Sequence, residues 1–278
     1  MSRGSGGERR VRGTMAAAHE SRQLEINHGP RPPFPNDSTI LDMLQQHVHA
    51  TPAALALVLP EGERVDGVRR EVPYSEMWSH VTQIAQELVR AGARSGSRWV
   101  MIVLPEGLAQ VCAVWGVLMA GCGYVPIDAE TQAARLRTLA KETQPSAVIG
   151  EVGDTPLAAL AAELGLPMGT FPTSVADGLV VVRGGQDGGA LMLGKSTVDD
   201  NALLLYSSGS TGVPKGIVYD HRWLAGGSWF ICQDLELNPS SRCLLRCSYV
   251  WSVSLYDLFP ANMVGGCLFI PPPGGHKN

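Results

Sequence analysis

Trp99-Val-Met-Ile-Val-Leu104, followed by Glu106 to Ala120 and then Tyr124-Val-Pro-Ile127, is the stretch on which the fold turns. The first segment is a continuous apolar run of strand length. The second is a helix-length apolar stretch, and the third is again a short apolar run. Strands that are apolar along their whole length belong to a sheet covered on both faces, so the segment reads as a β–α–β unit of a parallel sheet. The apolar stretch Leu108 to Cys122 is broken by Gly116 and Gly121 and falls short of the roughly 20 residues a bilayer requires. It is therefore read as a buried core helix.

The same pattern extends in both directions. Upstream, Leu55 to Leu59 reads as a strand, and Met77, Trp78, Val81, Ile84, Ala85, Leu88 and Val89 mark one face of a helix that Gly92 closes. Downstream come a helix Ala133 to Thr143, a strand Ala147 to Ile149, a helix from Pro156 to Gly165 and a strand Leu179 to Val182. After a glycine-rich loop follow a strand Ala202 to Tyr206, a strand Gly216 to Tyr219 and a helix Arg222 to Cys232. A strand Cys243 to Cys247, a helix Leu255 to Met263 and a strand Cys267 to Ile270 complete the pattern. The fold class is thus α/β, with alternating units forming a mainly parallel sheet covered by helices.

Composition narrows the partners. A formal charge of −4 supplies no basic field for a phosphate backbone, which argues against nucleic acid. Six cysteines lie in apolar stretches without the paired spacing of a zinc site, and they read as buried thiols in a reducing compartment. No membrane segment is expected, and the cytoplasm is the expected location. Residues 1–36 mix Gly, Arg, Ser, Glu and Pro without periodicity and read as a disordered extension. They have no apolar signal core, and Glu8, Glu20 and Glu25 argue against a transit peptide.

The chemistry concentrates in Ser207-Ser208-Gly209-Ser210-Thr211-Gly212-Val213-Pro214-Lys215-Gly216. Three glycines allow backbone amides to face an anion, three serines and a threonine add hydroxyl donors, and Lys215 adds positive charge. The loop follows a strand, where open α/β sheets place their ligands. That inventory suits a polyphosphate, while composition alone also allows a solvated Ser/Gly turn. A second segment, Gly189-Ala-Leu-Met-Leu-Gly-Lys195-Ser196, satisfies G-x4-G-K-[ST] and would make the chain a P-loop NTPase. That motif needs a helix directly after Lys-Ser. Here Thr197 to Asn201 leave no room for one before the next strand, and Asp199 and Asp200 add negative charge.

Ala202 to Gly216 resembles the phosphate-binding signature of the adenylate-forming (AMP-binding) superfamily, with Ser207 where Thr is frequent. Gly121-Cys-Gly-Tyr-Val-Pro-Ile-Asp128 with Arg135-Leu136 resembles the motif of nonribosomal peptide synthetase adenylation domains. Tyr74-Ser-Glu-Met77 and His221-Arg222 fit the same pattern in roles of packing. The resemblance spans about Asp37 to Ile270, and residues 37–278 are read as a partial adenylation domain. It implies ATP-dependent carboxylate activation with release of pyrophosphate and transfer to a carrier-protein thiol. Ser207, Ser208, Gly209, Ser210, Thr211, Gly212, Lys215 and Gly216 would bind ATP, with Mg²⁺. Phosphopantetheine would sit only on the partner carrier domain. The family's adenine-side, ribose-binding and C-terminal lysine elements have no counterpart before Asn278, so these residues alone are expected to be inactive and no catalytic residue is assigned. A noncatalytic module derived from such a domain is the remaining alternative.

Trp251-Ser-Val-Ser-Leu-Tyr-Asp-Leu-Phe259 aligns with the family's substrate-pocket segment F-D-x-S-x-W-E-x-F, with Ser254, Asp257 and Phe259 fixing the register. The resemblance implies that Trp251, Val253 and Tyr256 shape an apolar pocket. The family's aspartate, which pairs with an α-ammonium group, is replaced by Ser252. The expected substrate is a small carboxylic acid without an α-amine, unless an acidic residue elsewhere supplies the charge.

Overall fold

The computed structural model describes residues 37–60, 69–93, 99–151, 154–163, 168–170, 179–183, 195–207 and 215–272. By contacts the chain divides into Met1–Pro33 and Phe34–Asn278, and all described residues belong to the second unit. The extension read over residues 1–36 lies outside them. The elements are α1 (Ile40–Ala50), β1 (Leu55–Pro60), β2 (Arg69–Pro73), α2 (Tyr74–Arg90), β3 (Trp99–Val103), α3 (Leu108–Met119), β4 (Gly123–Ile127) and α4 (Ala133–Thr143). They continue with β5 (Ala147–Glu151), α5 (Thr155–Glu163), β6 (Met168–Thr170), β7 (Leu179–Arg183), β8 (Asn201–Ser207), β9 (Lys215–Asp220) and α6 (His221–Asp234). The last are β10 (Arg242–Leu244), α7 (Leu255–Leu258), α8 (Pro260–Met263) and β11 (Cys267–Phe269).

Where the sequence pattern implies a single sheet, the strands form two, in the orders β6-β7-β5-β3-β4-β8-β9 and β10-β11-β1-β2. The centre of the larger sheet is parallel, β3 pairing with β4 and β5, and β4 with β8. Antiparallel strands close its flanks, β7 on β5, β6 on β7, and β9 on β8. The near-continuous apolar strands of the sequence are the parallel centre, and every residue of β4 is buried.

Alternation along these strands separates two cores. Val100, Ile102, Tyr124, Ile149 and Leu203 face a cluster shared with α2, α3 and the smaller sheet. Met101, Val103, Val125, Ile127 and Val148 face Leu136, Leu139, Leu157 and Leu160 of α4 and α5. Helices α3 and α4, which follow adjacent strands, therefore lie on opposite faces. Eleven of the twelve residues of α3 are buried, the condition of a helix with protein on every side.

Helices α2 and α3 approach closely at Gly116. A Cβ there would lie 2.6 Å from Ile84 Cγ2 and 3.2 Å from the Val81 carbonyl oxygen. Overpacking costs about 1–3 kcal/mol, against a helix-propensity gain of roughly 1 kcal/mol for Gly→Ala. Gly116→Ala is accordingly expected to lower the urea midpoint, whereas a variant as stable as the parent would show that the two helices can part without cost.

Strands β2 and β6 have no counterpart in the sequence reading, and three further elements depart from it. Helix α1 carries no strong apolar run, but Thr39 and Asp42 form a reciprocal cap. The Thr39 hydroxyl accepts from the Asp42 N–H, and the Asp42 carboxylate accepts from the Thr39 N–H at 2.8 Å. Strand β10 stops at Leu244, short of the expected Cys247, and just beyond it the Arg246 N–H donates to Asp257 Oδ2 at 3.1 Å. The expected helix Leu255 to Met263 is broken into α7 and α8, since Pro260 has no N–H to continue the ladder. All six cysteines are free thiols, and burial pushes Cys232 up to about 12 and Cys267 up to about 11. Cys232 and Cys267 therefore stay protonated and unreactive at neutral pH.

Candidate functional site

Strand β8 runs parallel to β4 and ends at Ser207, and β9 returns antiparallel from Lys215. Ser207 and Lys215 face each other across the ladder. The ends of the serine- and glycine-rich loop are thus fixed side by side at the carboxyl edge of the parallel strands. Ser208, Gly209, Ser210, Thr211 and Gly212 lie outside the described residues. Lys215 is exposed at the loop's exit. Gly216 lies opposite Tyr206, and a Cβ there would meet Leu204 Cδ1 at 2.9 Å, the end of a flexible side chain. The Arg135 guanidinium carbon stands 5.8 Å from the centre of the Tyr206 ring, a cation–π distance that ties α4 to the end of β8.

The second sequence-predicted segment follows β10. Trp251, Ser252, Val253 and Tyr256 are all exposed, and Trp251 keeps 64% of its accessible surface. The residues between and after them are held. The Ser254 hydroxyl, fully buried, donates to the Trp251 carbonyl at 2.7 Å. Buried Asp257 accepts from the Arg246 N–H, from Arg246 Nε at 3.1 Å and from Nη2 at 2.7 Å. That ion pair raises the Arg246 pKa above its ordinary value. Phe259 packs edge-on against Trp115 with ring centres 5.2 Å apart. Ser254, Asp257 and Phe259 therefore anchor a short wall whose outward residues are Trp251, Ser252, Val253 and Tyr256. Arg246 was not legible from the sequence, because its partner lies eleven residues away in an aperiodic stretch.

Of the residues read as packing positions, Tyr74, Met77 and His221 are buried, whereas Ser75 and Arg222 are exposed and Glu76 is half-buried, so packing does not account for those three. The Tyr74 hydroxyl donates to the Gly266 carbonyl at 2.7 Å and joins the start of α2 to the approach of β11. His221 is fully buried, and neither ring nitrogen has a hydrogen-bond partner among the described residues. Desolvation holds its imidazole below the usual histidine pKa, with Asp200, Asp42 and Asp220 opposing the shift. The unfolded chain therefore takes up a proton near pH 6.5 that the folded chain refuses. Stability from this site is complete above pH 6.5 and is lost as the pH falls towards the folded value. Urea midpoints of the parent and of His221→Gln should thus diverge in slope between pH 7.5 and 5.5, the parent losing more, and parallel lines would exclude this histidine as the cause.

In the competing motif, Gly189 to Gly194 lie outside the described residues, but Lys195 and Ser196 do not. No helix follows them. Thr197 to Asp200 form a turn in which the Asp200 carboxylate accepts from the Thr197 N–H at 2.7 Å, and β8 begins at Asn201. Helical amides are therefore not presented where a P-loop phosphate would sit. Among the described residues no group of three or more His, Cys, Asp or Glu gathers as a metal site, and no helix is long and apolar enough to cross a membrane.

Residues 44–278 match the family model described as AMP-binding enzyme, and the chain belongs to that family. It is 26% identical over 247 residues to bacitracin synthase 3 of Bacillus licheniformis, a match covering 89% of this chain and 4% of that protein. It is 30% identical over 218 residues to L-proline--[L-prolyl-carrier protein] ligase of Streptomyces coelicolor, covering 74% of this chain and 40% of that protein. Among solved structures, the nonribosomal peptide synthetase FmoA3 bound to α-methyl-L-serine-AMP gives a TM-score of 0.65 at 26% identity, over 87% of this chain and 25% of that one. The same synthetase has been solved with AMPPNP bound. The N-terminal subdomain of Klebsiella oxytoca NpsA gives 0.61 at 19% identity, over 85% of this chain and 54% of that one, a likeness of fold. The chain spans well under two thirds of each of these proteins.

Proposed function

We propose that this chain is the ATP-binding and substrate-facing part of an adenylating enzyme. It would join a carboxylate to the α-phosphorus of ATP, releasing pyrophosphate and forming an acyl adenylate for a carrier-protein thiol. The observation that carries the reading is the junction of β8 and β9. A strand parallel to β4 delivers Ser207 to the carboxyl edge, and the chain comes back with Lys215 beside it. Thr211 and Lys215 would contact oxygens of the β- and γ-phosphates, and the backbone amides and hydroxyls of residues 208–212 would supply further donors. Mg²⁺ would arrive with the phosphates. The phosphopantetheine thiol would belong to the carrier partner.

Chemically, this half of the site binds and orients. Positioning and charge neutralisation account for most of the acceleration in phosphoryl-type transfer, so the loop's contribution is to hold the pyrophosphate leaving group in line. The wall Trp251 to Tyr256 would receive the acid. Its Ser252 offers a hydroxyl and no charge, which favours an acid without an α-amine. The prolyl ligase and the α-methyl-L-serine adenylate complex make an amino acid the competing class. Carboxylate-dependent ATP–pyrophosphate exchange by the full-length protein tests the reading, and exchange that persists unchanged without any added carboxylate would contradict it.

A further inference from the structure

Open α/β sheets bind ligands in the crevice beyond the strand ends where successive crossovers part to opposite faces. In this chain α3 and α4 part in that way, so the crevice lies between the carboxyl ends of β3 and β4. A side chain occupies it. The Tyr249 hydroxyl lies 2.8 Å from the Ile102 carbonyl oxygen, 2.9 Å from that of Ile127 and 3.2 Å from that of Leu104. It also accepts from the Leu104 N–H at 3.3 Å. The β3–β4 ladder ends at Val103 opposite Ile127, and a phenol, one donor with two lone pairs, caps backbone groups of both strands there. Tyr249 is 2% exposed, and burial raises its pKa, so the hydroxyl stays neutral.

Tyr249 also stands at the corner of a turn. The Trp251 N–H donates to the Ser248 carbonyl at 3.1 Å, and the Trp251 carbonyl then accepts from the Ser254 N–H at 3.0 Å. Trp251 therefore hangs between two successive turns, the first rooted in the crevice by Tyr249 and the second closed by Ser254. Strand β8, which feeds the phosphate loop, is the neighbour of β4, one strand spacing of about 4.8 Å from the plugged crevice.

We propose that Tyr249 is a positioning residue, whose hydroxyl, planted between β3 and β4, fixes Trp251 and Ser252 at the carboxyl edge and so sets where the acid lies relative to the paired ends of β8 and β9. The inference rests on the adenylating site described above. It adds that the β3/β4 crevice is closed to ligands by this side chain, which leaves the edge beyond β8 for the nucleotide.

The test reads Trp251 and requires no turnover. The full chain has six tryptophans. Labelled with 5-fluorotryptophan, its ¹⁹F resonance for Trp251 is assigned by its loss in Trp251→Phe. Tyr249→Phe keeps the ring and removes the hydroxyl. The expected result is that the Trp251 line shifts or broadens several-fold more than that of Trp115, which lies in the core. An unmoved Trp251 line, or six lines moving together with a lowered unfolding midpoint, would reduce Tyr249 to a stabilising residue and overturn the proposal. Should Tyr249→Phe fail to fold, Val250→Gly slackens the link while leaving the hydroxyl in place. The Trp251 line is then expected to broaden while the Leu104 amide keeps its protection from exchange, and an unchanged line overturns the proposal equally. Loss of nucleotide activity in a Lys215 variant bears on the adenylating site alone, so the two failures are distinguishable.

Discussion

Lys215→Ala in the full-length protein is expected to slow carboxylate-dependent ATP–pyrophosphate exchange by roughly ten- to 150-fold, with little change in stability. The magnitude follows from a charged hydrogen bond to phosphate, worth about 1.5–3 kcal/mol. The small effect on folding follows from the position of Lys215, exposed at the first residue of the edge strand β9, where surface substitutions shift stability by about 0.5 kcal/mol or less. Lys195→Ala serves as the control. No helix follows Lys195, so exchange should continue at the parent rate in that variant. The opposite pattern, activity lost with Lys195 and kept without Lys215, would move the phosphate site to the Gly189–Ser196 motif.

The second large effect concerns the acid. Ser252 lies in the exposed wall after β10, inside the turn that the Ser254 N–H closes on the Trp251 carbonyl. In a pocket completed by the rest of the enzyme, an α-ammonium group bound there would lose its water. A serine hydroxyl can accept one hydrogen bond from it but cannot neutralise it. Leaving a desolvated charge unpaired costs about 3–5 kcal/mol, which corresponds to more than about a hundredfold discrimination. An α-amino acid and its des-amino analogue with the same side chain should therefore differ by at least that factor in kcat/KM, with the des-amino acid preferred. Ser252→Asp should narrow or reverse the preference. If the amino acid is the better substrate with Ser252 in place, an acidic group elsewhere supplies the charge and the inference from this position fails.

How much of this was legible beforehand depends on the range of the interactions. The family signature at the end of β8 could be recognised because it is local: consecutive Ser, Gly, Thr and Lys residues carry the donors and the charge that motivate the proposed phosphate site. Apolar runs and helical spacing placed the boundaries of α4 at Ala133 and Thr143 and those of most parallel strands within a residue or two, since burial on both faces leaves its mark at each position. Helix α1 was missed although Thr39 and Asp42 signal its cap, because its apolar face is short and polar residues interrupt it.

Other features exist only through contacts distant in sequence. The division into two sheets depends on β1 pairing with β11, and two separate sheets draw on the same alternation of apolar residues as one. The Arg246–Asp257 pair and the Tyr249 hydroxyl join residues that no periodicity relates, and a tyrosine in an apolar stretch looks the same whether it packs in a core or caps two strands. The sequence by itself determined the α/β class and the AMP-binding family, because apolar runs and signature segments are properties of neighbouring residues. Only the tertiary structure decided which crevice is filled and how the wall at Trp251 is held, because hydrogen bonds to backbone groups of two different strands are made where the folded chain brings those strands' ends together.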